Sequence, residues 1–487
     1  MINEAGRITP GARRFTPKFR ALAMAISAAT YSATPHAAPG STTESGTAVA
    51  VPANTSIIIA DGSGTEPGGM SQSTDVVPAD TSPTATVTPT PTGAWNQLTP
   101  WTQFHGYMRA GVGSSDGHTQ TCYHLASADS KYRLGNECEI YSELEIDQKL
   151  FQFSNGMELS AVGMASLVNS LDHVPSFHGD QGKIRLPQSY VQLTDIPGLE
   201  SARIWFGRIY YRRNDVHIND FFYWNPSGLG AGIENVPIGA GLKLSYAFFR
   251  EDTINAPNYA TRHDLQLSGV RPNPGGELQF GLSYIPARAP VEGSSGVMQD
   301  AHSGWSVTVQ HVQTNLLGGK NKLAFQYGVG PGTGLSYTGM LTDDNRYKSF
   351  RVLDAFDWQA TRDFSGQVVG IYQRDIAPTR SQTWVSMGIR PVYAFTQHIK
   401  LQGDLGHDIV TPEGGPTRTL FKASVALTLA IDRSFWSRPE LRLFYTYARW
   451  NKAAQDAAGP GDPLSTTGIF GTSRTGSTVG AQVEWWW

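Results

Sequence analysis

A chain of 487 residues with 52 glycines, 11% aromatic and only 16% charged residues is composed for strands and turns rather than for helices. Its formal net charge of −3 lacks the basic excess of a nucleic-acid binder, so no nucleic-acid partner is expected. No stretch approaches the ~18 consecutive apolar residues of a membrane-spanning helix, which leaves a closed barrel as the only way this chain could cross a bilayer.

The first hundred residues are a different material from the rest. Arg13, Arg14, Lys18 and Arg20 precede the apolar run Ala21 to Ala33, and small residues follow at Ala37 and Ala38. This is the layout of a secretory signal peptide with a long basic leader, assigned to residues 1–38. Residues 39–100 are rich in Thr, Ser, Pro and Ala, as in Asp80-Thr-Ser-Pro-Thr-Ala-Thr-Val-Thr-Pro-Thr-Pro-Thr92. Such a segment buries too little apolar surface to offset its chain entropy and is expected to be a disordered periplasmic extension. Residues 101–487 show no further break in composition, so one very large sheet is expected rather than several cores.

The folded part opens with His105, Tyr107, Arg109 and Gly111 on one face and Phe104, Gly106, Met108 and Ala110 on the other. Cys122 and Cys138 follow, the only cysteines of the chain. Behind a signal peptide a local disulfide is the default, because the other ligands of a metal site are missing. From Glu139 to Asp147 the alternation is strict: Tyr141, Glu143 and Glu145 on the wet side, Ile140, Leu144 and Ile146 on the greasy side. The same period recurs in Val385, Met387 and Ile389 against Ser386, Gly388 and Arg390, and in Phe421 to Leu429 against Lys422, Ser424, Ala426 and Thr428. Turn clusters such as Pro272-Asn-Pro-Gly-Gly276 separate these runs. At the C-terminus Val479, Ala481, Val483 and Trp485 form one row and Gly480, Gln482, Glu484 and Trp486 the other. Apolar rows with aromatic ends facing lipid, and polar rows facing inward, make the expected fold all-β, a transmembrane antiparallel β-barrel.

Six separated stretches carry a resemblance: Phe104-His-Gly-Tyr-Met-Arg109, Ser130-Lys-Tyr-Arg-Leu-Gly-Asn-Glu-Cys138, Asn214-Asp-Val-His-Ile-Asn-Asp-Phe-Phe-Tyr-Trp224, Gly388-Ile-Arg-Pro391, Trp436-Ser-Arg-Pro439 and Gly480-Ala-Gln-Val-Glu-Trp-Trp-Trp487. In this order they resemble maltoporin and its sugar-porin relatives. The resemblance implies an eighteen-stranded barrel in the outer membrane of a Gram-negative bacterium, surrounded by lipid and lipopolysaccharide, assembled as a homotrimer and passing maltodextrins or related oligosaccharides without catalysis or cofactor. It assigns Tyr107, Tyr141, Trp436 and Trp486 to an aromatic slide on which sugar faces stack. It assigns Arg109, Arg133, Glu143, Arg213 and Asp220 to a polar track for the hydroxyls. Asp215 and His217 fit either the track or loop packing.

Several positions depart from the family pattern. Phe222 stands at the constriction where a tyrosine is usual, Asn225 replaces an aspartate, and Lys320 stands at a slide position usually held by phenylalanine. No tryptophan lies between Phe151 and Glu200, where the family's slide begins; His173, Phe177 and His178 are the nearest substitutes. A shorter or charged sugar is therefore expected to suit this pore better than a long maltodextrin. The three arginines are expected to favour neutral or anionic solutes. The alternative reading is a general, weakly selective porin for ions and small solutes. An enzyme is not expected, since the 12 histidines form no nucleophile grouping.

Overall fold

The computed structural model describes residues 97–171, 182–251, 260–288, 290–292, 298–379 and 381–487. The signal peptide, most of the extension, His173, Phe177 and His178 lie outside the described residues.

Eighteen long strands form the wall, named here in chain order. They are β1 (Thr102–Ser115), β2 (Glu139–Gln152), β3 (Glu158–Ser170), β4 (Gly182–Thr194), β5 (Arg203–Ile209) and β6 (Gly228–Gly239). Next come β7 (Leu242–Glu251), β8 (Arg262–Val270), β9 (Gly276–Ile285), β10 (Gly304–Leu316), β11 (Gly319–Val329) and β12 (Lys348–Gln359). The last six are β13 (Phe364–Ile376), β14 (Gln382–Ala394), β15 (Ile399–Pro412), β16 (Arg418–Ala430), β17 (Glu440–Trp450) and β18 (Thr475–Trp486). Each pairs antiparallel with its successor, and β18 returns to β1, from Tyr107↔Trp486 to Ser115↔Thr478. Closure leaves no strand edge facing hydrocarbon, as a bilayer requires. One end carries tight connections such as 240–241 and 317–318 (the turn end); the other carries long segments such as 116–138 and 210–227 (the loop end). Gln97–Thr99 adds a short strand to β1, so the ordered wall begins slightly before Trp101.

The wall is turned inside out relative to a water-soluble protein. Along β16 and β17 Leu427 and Leu443 are 51% and 58% exposed, while Thr428 and Arg442 on the opposite rows are each 1% exposed. A charged side chain turned to the lipid costs ~2–4 kcal/mol at the bilayer midplane, which is why the arginines take the inward rows.

The interior is not an empty tube, because the segments 116–138 and 210–227 fold inward and bind one another. The Lys131 amide donates to the Asn219 carbonyl at 2.9 Å and that of Arg133 to Ile218 at 3.3 Å. Cys122 and Cys138 are bonded, pinning the base of the first segment. Its Tyr132 reaches the far wall, where the hydroxyl lies 2.7 Å from Ser386 Oγ. Two glycines make room for that ring: a Cβ on Gly388 would fall 1.9 Å from it and one on Gly406 2.2 Å. Arg390 clamps both segments at once, donating to the carbonyls of Arg133 at 3.0 Å and Ile218 at 3.2 Å. Val216, Ile218, Phe221, Tyr223 and Trp224 complete an apolar core inside the barrel, against wall residues such as Leu353, Ile371 and Trp384.

Candidate functional site

The inward row of β1 places Tyr107 and Arg109, and that of β2 places Tyr141 and Glu143, at paired positions: Tyr107↔Glu143 and Arg109↔Tyr141. Closure brings Trp486 beside Tyr107, and the connection 431–439 brings Trp436 beneath. Together they make a line of rings running from the loop side toward the turn end. Tyr141 and Tyr107 lie 6.1 Å apart, Tyr107 and Trp486 stack at 6.5 Å, Trp486 meets His217 at 6.0 Å, and His217 meets Trp436 at 5.2 Å. Tyr107 and Tyr141 are fully buried among their neighbours, whereas Trp436 and Trp486 keep part of their surface open.

His217 is thus the spacer between the two tryptophans. Burial drives its pKa well below the ordinary value, and the neutral ring faces Arg438 with 3.0 Å between Nε2 and the guanidinium. The Arg438 guanidinium also lies 4.2 Å from the Trp486 ring, bracing one face of that indole.

Beside the rings runs a chain of buried ion pairs. Arg109 bonds Glu139 and lies 3.6 Å from Glu137 and 3.5 Å from Asp220. Arg133 contacts Glu137 at 3.1 Å, Asp220 at 3.2 Å and Glu484 at 3.8 Å. Tyr107 donates to Glu484 at 2.9 Å, Tyr141 to Glu143 at 2.7 Å. Toward the turn end Arg438 and Arg442 share Glu484 and Glu440, and Lys400 meets Glu440 at 2.6 Å. Asp220 sits at the end of the 3₁₀ turn His217–Asn219 with φ of 55°, a left-handed conformation that aspartate tolerates better than bulky residues do.

The sequence-selected residues therefore fall into two groups. Tyr107, Tyr141, Arg109, Arg133, Glu143 and Asp220 form one packed network with Trp486 at its edge. Arg213 and Phe222 lie on the second inward segment, where the Arg213 guanidinium is 3.4 Å from the Tyr210 ring and 4.7 Å from the Phe222 ring. Lys320 stands apart, at the turn-end start of β11, exposed and on the same face as Lys322, Ala324 and Gln326. Asp357 of the neighbouring strand is within its electrostatic reach. The expectation of an arginine-dominated field is corrected at two of three positions: Arg109 and Arg133 are matched by carboxylates, so that part of the lumen carries paired charge. Sequence reasoning missed Glu137, Arg438, Glu440 and Arg442. Arg438 sat inside a quoted motif and Glu484 on a polar row, but nothing local says that the two meet.

A closed antiparallel barrel with apolar outer rows and a polar, loop-lined interior is a channel of the outer-membrane porin class. The chain belongs to the LamB porin family, whose model matches residues 102–487. Among solved structures it is similar to Pseudomonas aeruginosa OccK9 (OpdG), with 12% identity and a TM-score of 0.46 over 79% of this chain and 98% of that one. It is similar to Pseudomonas aeruginosa OpdK with vanillate at 9% identity and TM-score 0.46, over 79% and 99% of the two chains. Salmonella typhi OmpF in complex with daunomycin matches at 9% identity and TM-score 0.42, over 79% and 97%. No solute preference follows from these likenesses.

Proposed function

We propose that this porin conducts oligosaccharides by facilitated diffusion, with Trp486 and Trp436 as the stacking surfaces and the neighbouring charged groups as partners for sugar hydroxyls. The single observation that carries the reading is the line Tyr141, Tyr107, Trp486, His217, Trp436 flanked by the buried ion pairs of Arg109, Arg133, Arg438 and Glu484. A sugar ring offers flat C–H faces and a rim of hydroxyls, and a path with rings on one side and charge-assisted donors and acceptors on the other suits both. A short or anionic oligosaccharide fits best, because Lys320 puts an ammonium where the resemblance leads one to expect a ring. The same reading includes export by residues 1–38, residues 39–100 as a periplasmic extension, and assembly as a homotrimer.

The test is ion current through the reconstituted full protein, titrated with neutral maltodextrins of increasing length and with acidic oligosaccharides. Saturable block by at least one sugar series supports a sugar path. Undiminished current with every sugar would leave a general porin for ions and small solutes.

A further inference from the structure

The outward surface of the barrel carries a cleft that the solute path does not use. On the outward rows of β12 to β17 the register partners Asp354, Gly370, Met387, His407, Phe421 and Arg449 form one line. Barrel strands tilt by about 35–45°, so a line drawn across them climbs the wall. Here it rises from the middle of β12 to the loop end of β17. At its upper end a cleft of about 660 Å³ is lined by Arg449, Arg474, Thr419, Thr472, Tyr447 and Phe421. A second cleft of about 460 Å³ adjoins it, sharing His407 and Phe421, with apolar walls from Val368, Met387, Ile389 and Leu405. Gly370 leaves part of its floor open, since a Cβ there would meet nothing within 4 Å.

The polarity of the two parts is ordered by height. The outward row of β17 reads Leu441, Leu443, Tyr445, Tyr447, Arg449, so the arginine stands just above an aromatic girdle, where hydrocarbon gives way to headgroups. Among the described residues neither Arg449 nor Arg474 has a side-chain hydrogen-bond or ion-pair partner, and the upper cleft is lined by no carboxylate. The buried Nδ1 of His407, at the junction of the two clefts, also has no partner. Asp354 closes the lower end and is engaged by Asn321.

We propose that this double cleft binds a phosphorylated, acylated glycolipid of the outer leaflet, the lipid A part of lipopolysaccharide. Two guanidiniums at headgroup height match a phosphate, which arginine holds through paired N–H donors. The threonine hydroxyls beside them suit a sugar backbone. The apolar cleft below takes one acyl chain, laid over Gly370 between Met387 and Leu405. The occupant is fixed by the pairing of two guanidiniums that lack a protein partner among the described residues with an adjoining apolar groove, which complements a phosphate joined to an acyl chain.

The test uses the full protein, purified in detergent free of lipopolysaccharide, with binding followed by native mass spectrometry. The probes are bisphosphorylated lipid A, the same lipid with its phosphates removed, and inorganic pyrophosphate. Wild type is expected to retain one lipid A per chain, and the double variant Arg449→Ala with Arg474→Ala to bind it at least tenfold more weakly. Removing the phosphates should cost wild type a similar factor. Gly370→Leu, which fills the floor without touching the arginines, should weaken lipid A binding while keeping the preference for phosphates. Equal retention of lipid A by wild type and the double variant would overturn the proposal. So would equal binding of dephosphorylated lipid, or pyrophosphate competing as strongly as lipid A, which would mean an anion site without a chain groove. Dissociation of the double variant into smaller oligomers in lipid-free detergent would assign this face to subunit contact instead.

Discussion

Tyr107 and Trp486 are register partners across the seam that closes the barrel, and their rings stack 6.5 Å apart with 20° between their planes. The first and last wall strands thus build the middle of the aromatic line together. An indole supported this way, with Arg438 on it at 4.2 Å, is held in one orientation before any solute arrives.

Trp486→Ala and Trp436→Ala should each weaken block of the current by the best-bound sugar by ~1–3 kcal/mol, taking the stacking of nucleic-acid bases as the scale. Open-channel conductance should hold or rise, because a bulky group leaves the lumen. Unchanged block in both variants, measured over the whole sugar series, removes the slide from this pore.

Lys320→Phe should strengthen maltodextrin block by about 1 kcal/mol, the low end of the same stacking range. It should also reduce block by acidic sugars, since an exposed ammonium has been removed. Titrating both sugar classes against wild type and variant separates these effects.

Arg213→Ala removes the guanidinium held against Tyr210 and Phe222. Single-channel conductance is expected to increase and anion preference to fall. A conductance equal to wild type would mean that Arg213 does not border the narrow zone.

Gly388→Ala and Gly406→Ala test whether the inward segment narrows the path. Each new methyl group would overlap the Tyr132 ring, and such overpacking costs ~1–3 kcal/mol. The relief open to the chain is to push Tyr132 and its segment away from the wall, which should appear as larger or noisier single-channel current.

Cys122→Ser should lower resistance to heat unfolding by about 3 kcal/mol, the closure entropy expected for a loop of roughly 15 residues. The pore should stay conducting, because Tyr132 and Arg390 still fasten the segment to the wall. Calorimetry in detergent, paired with conductance on the same preparation, measures both parts.

Period-two patterning carries much of this protein by itself. Once Glu143 and Leu144 alternate, or Thr428 and Leu429, the strand, its two faces and their opposite environments follow, because successive side chains must point to opposite sides. The strands around Tyr107, Glu143, Met387, Leu427 and Val483 were legible in that way, as were the inward positions of Tyr107, Tyr141 and Trp486; the number eighteen came from the family resemblance, and the Cys122–Cys138 pair from the signal peptide ahead of two lone cysteines. What the tertiary structure alone decided is how the lumen is filled. No local pattern says that Tyr132 crosses the barrel to Gly388, that His217 stands between Trp486 and Trp436, or that Glu137, Asp220 and Glu484 neutralise Arg109 and Arg133. Those contacts join residues from 4 to more than 250 positions apart in sequence and arise only when β18 meets β1 and two long segments turn inward. Patterning records which way a side chain faces; the identity of its partner depends on closure, and closure is a property of the whole sheet.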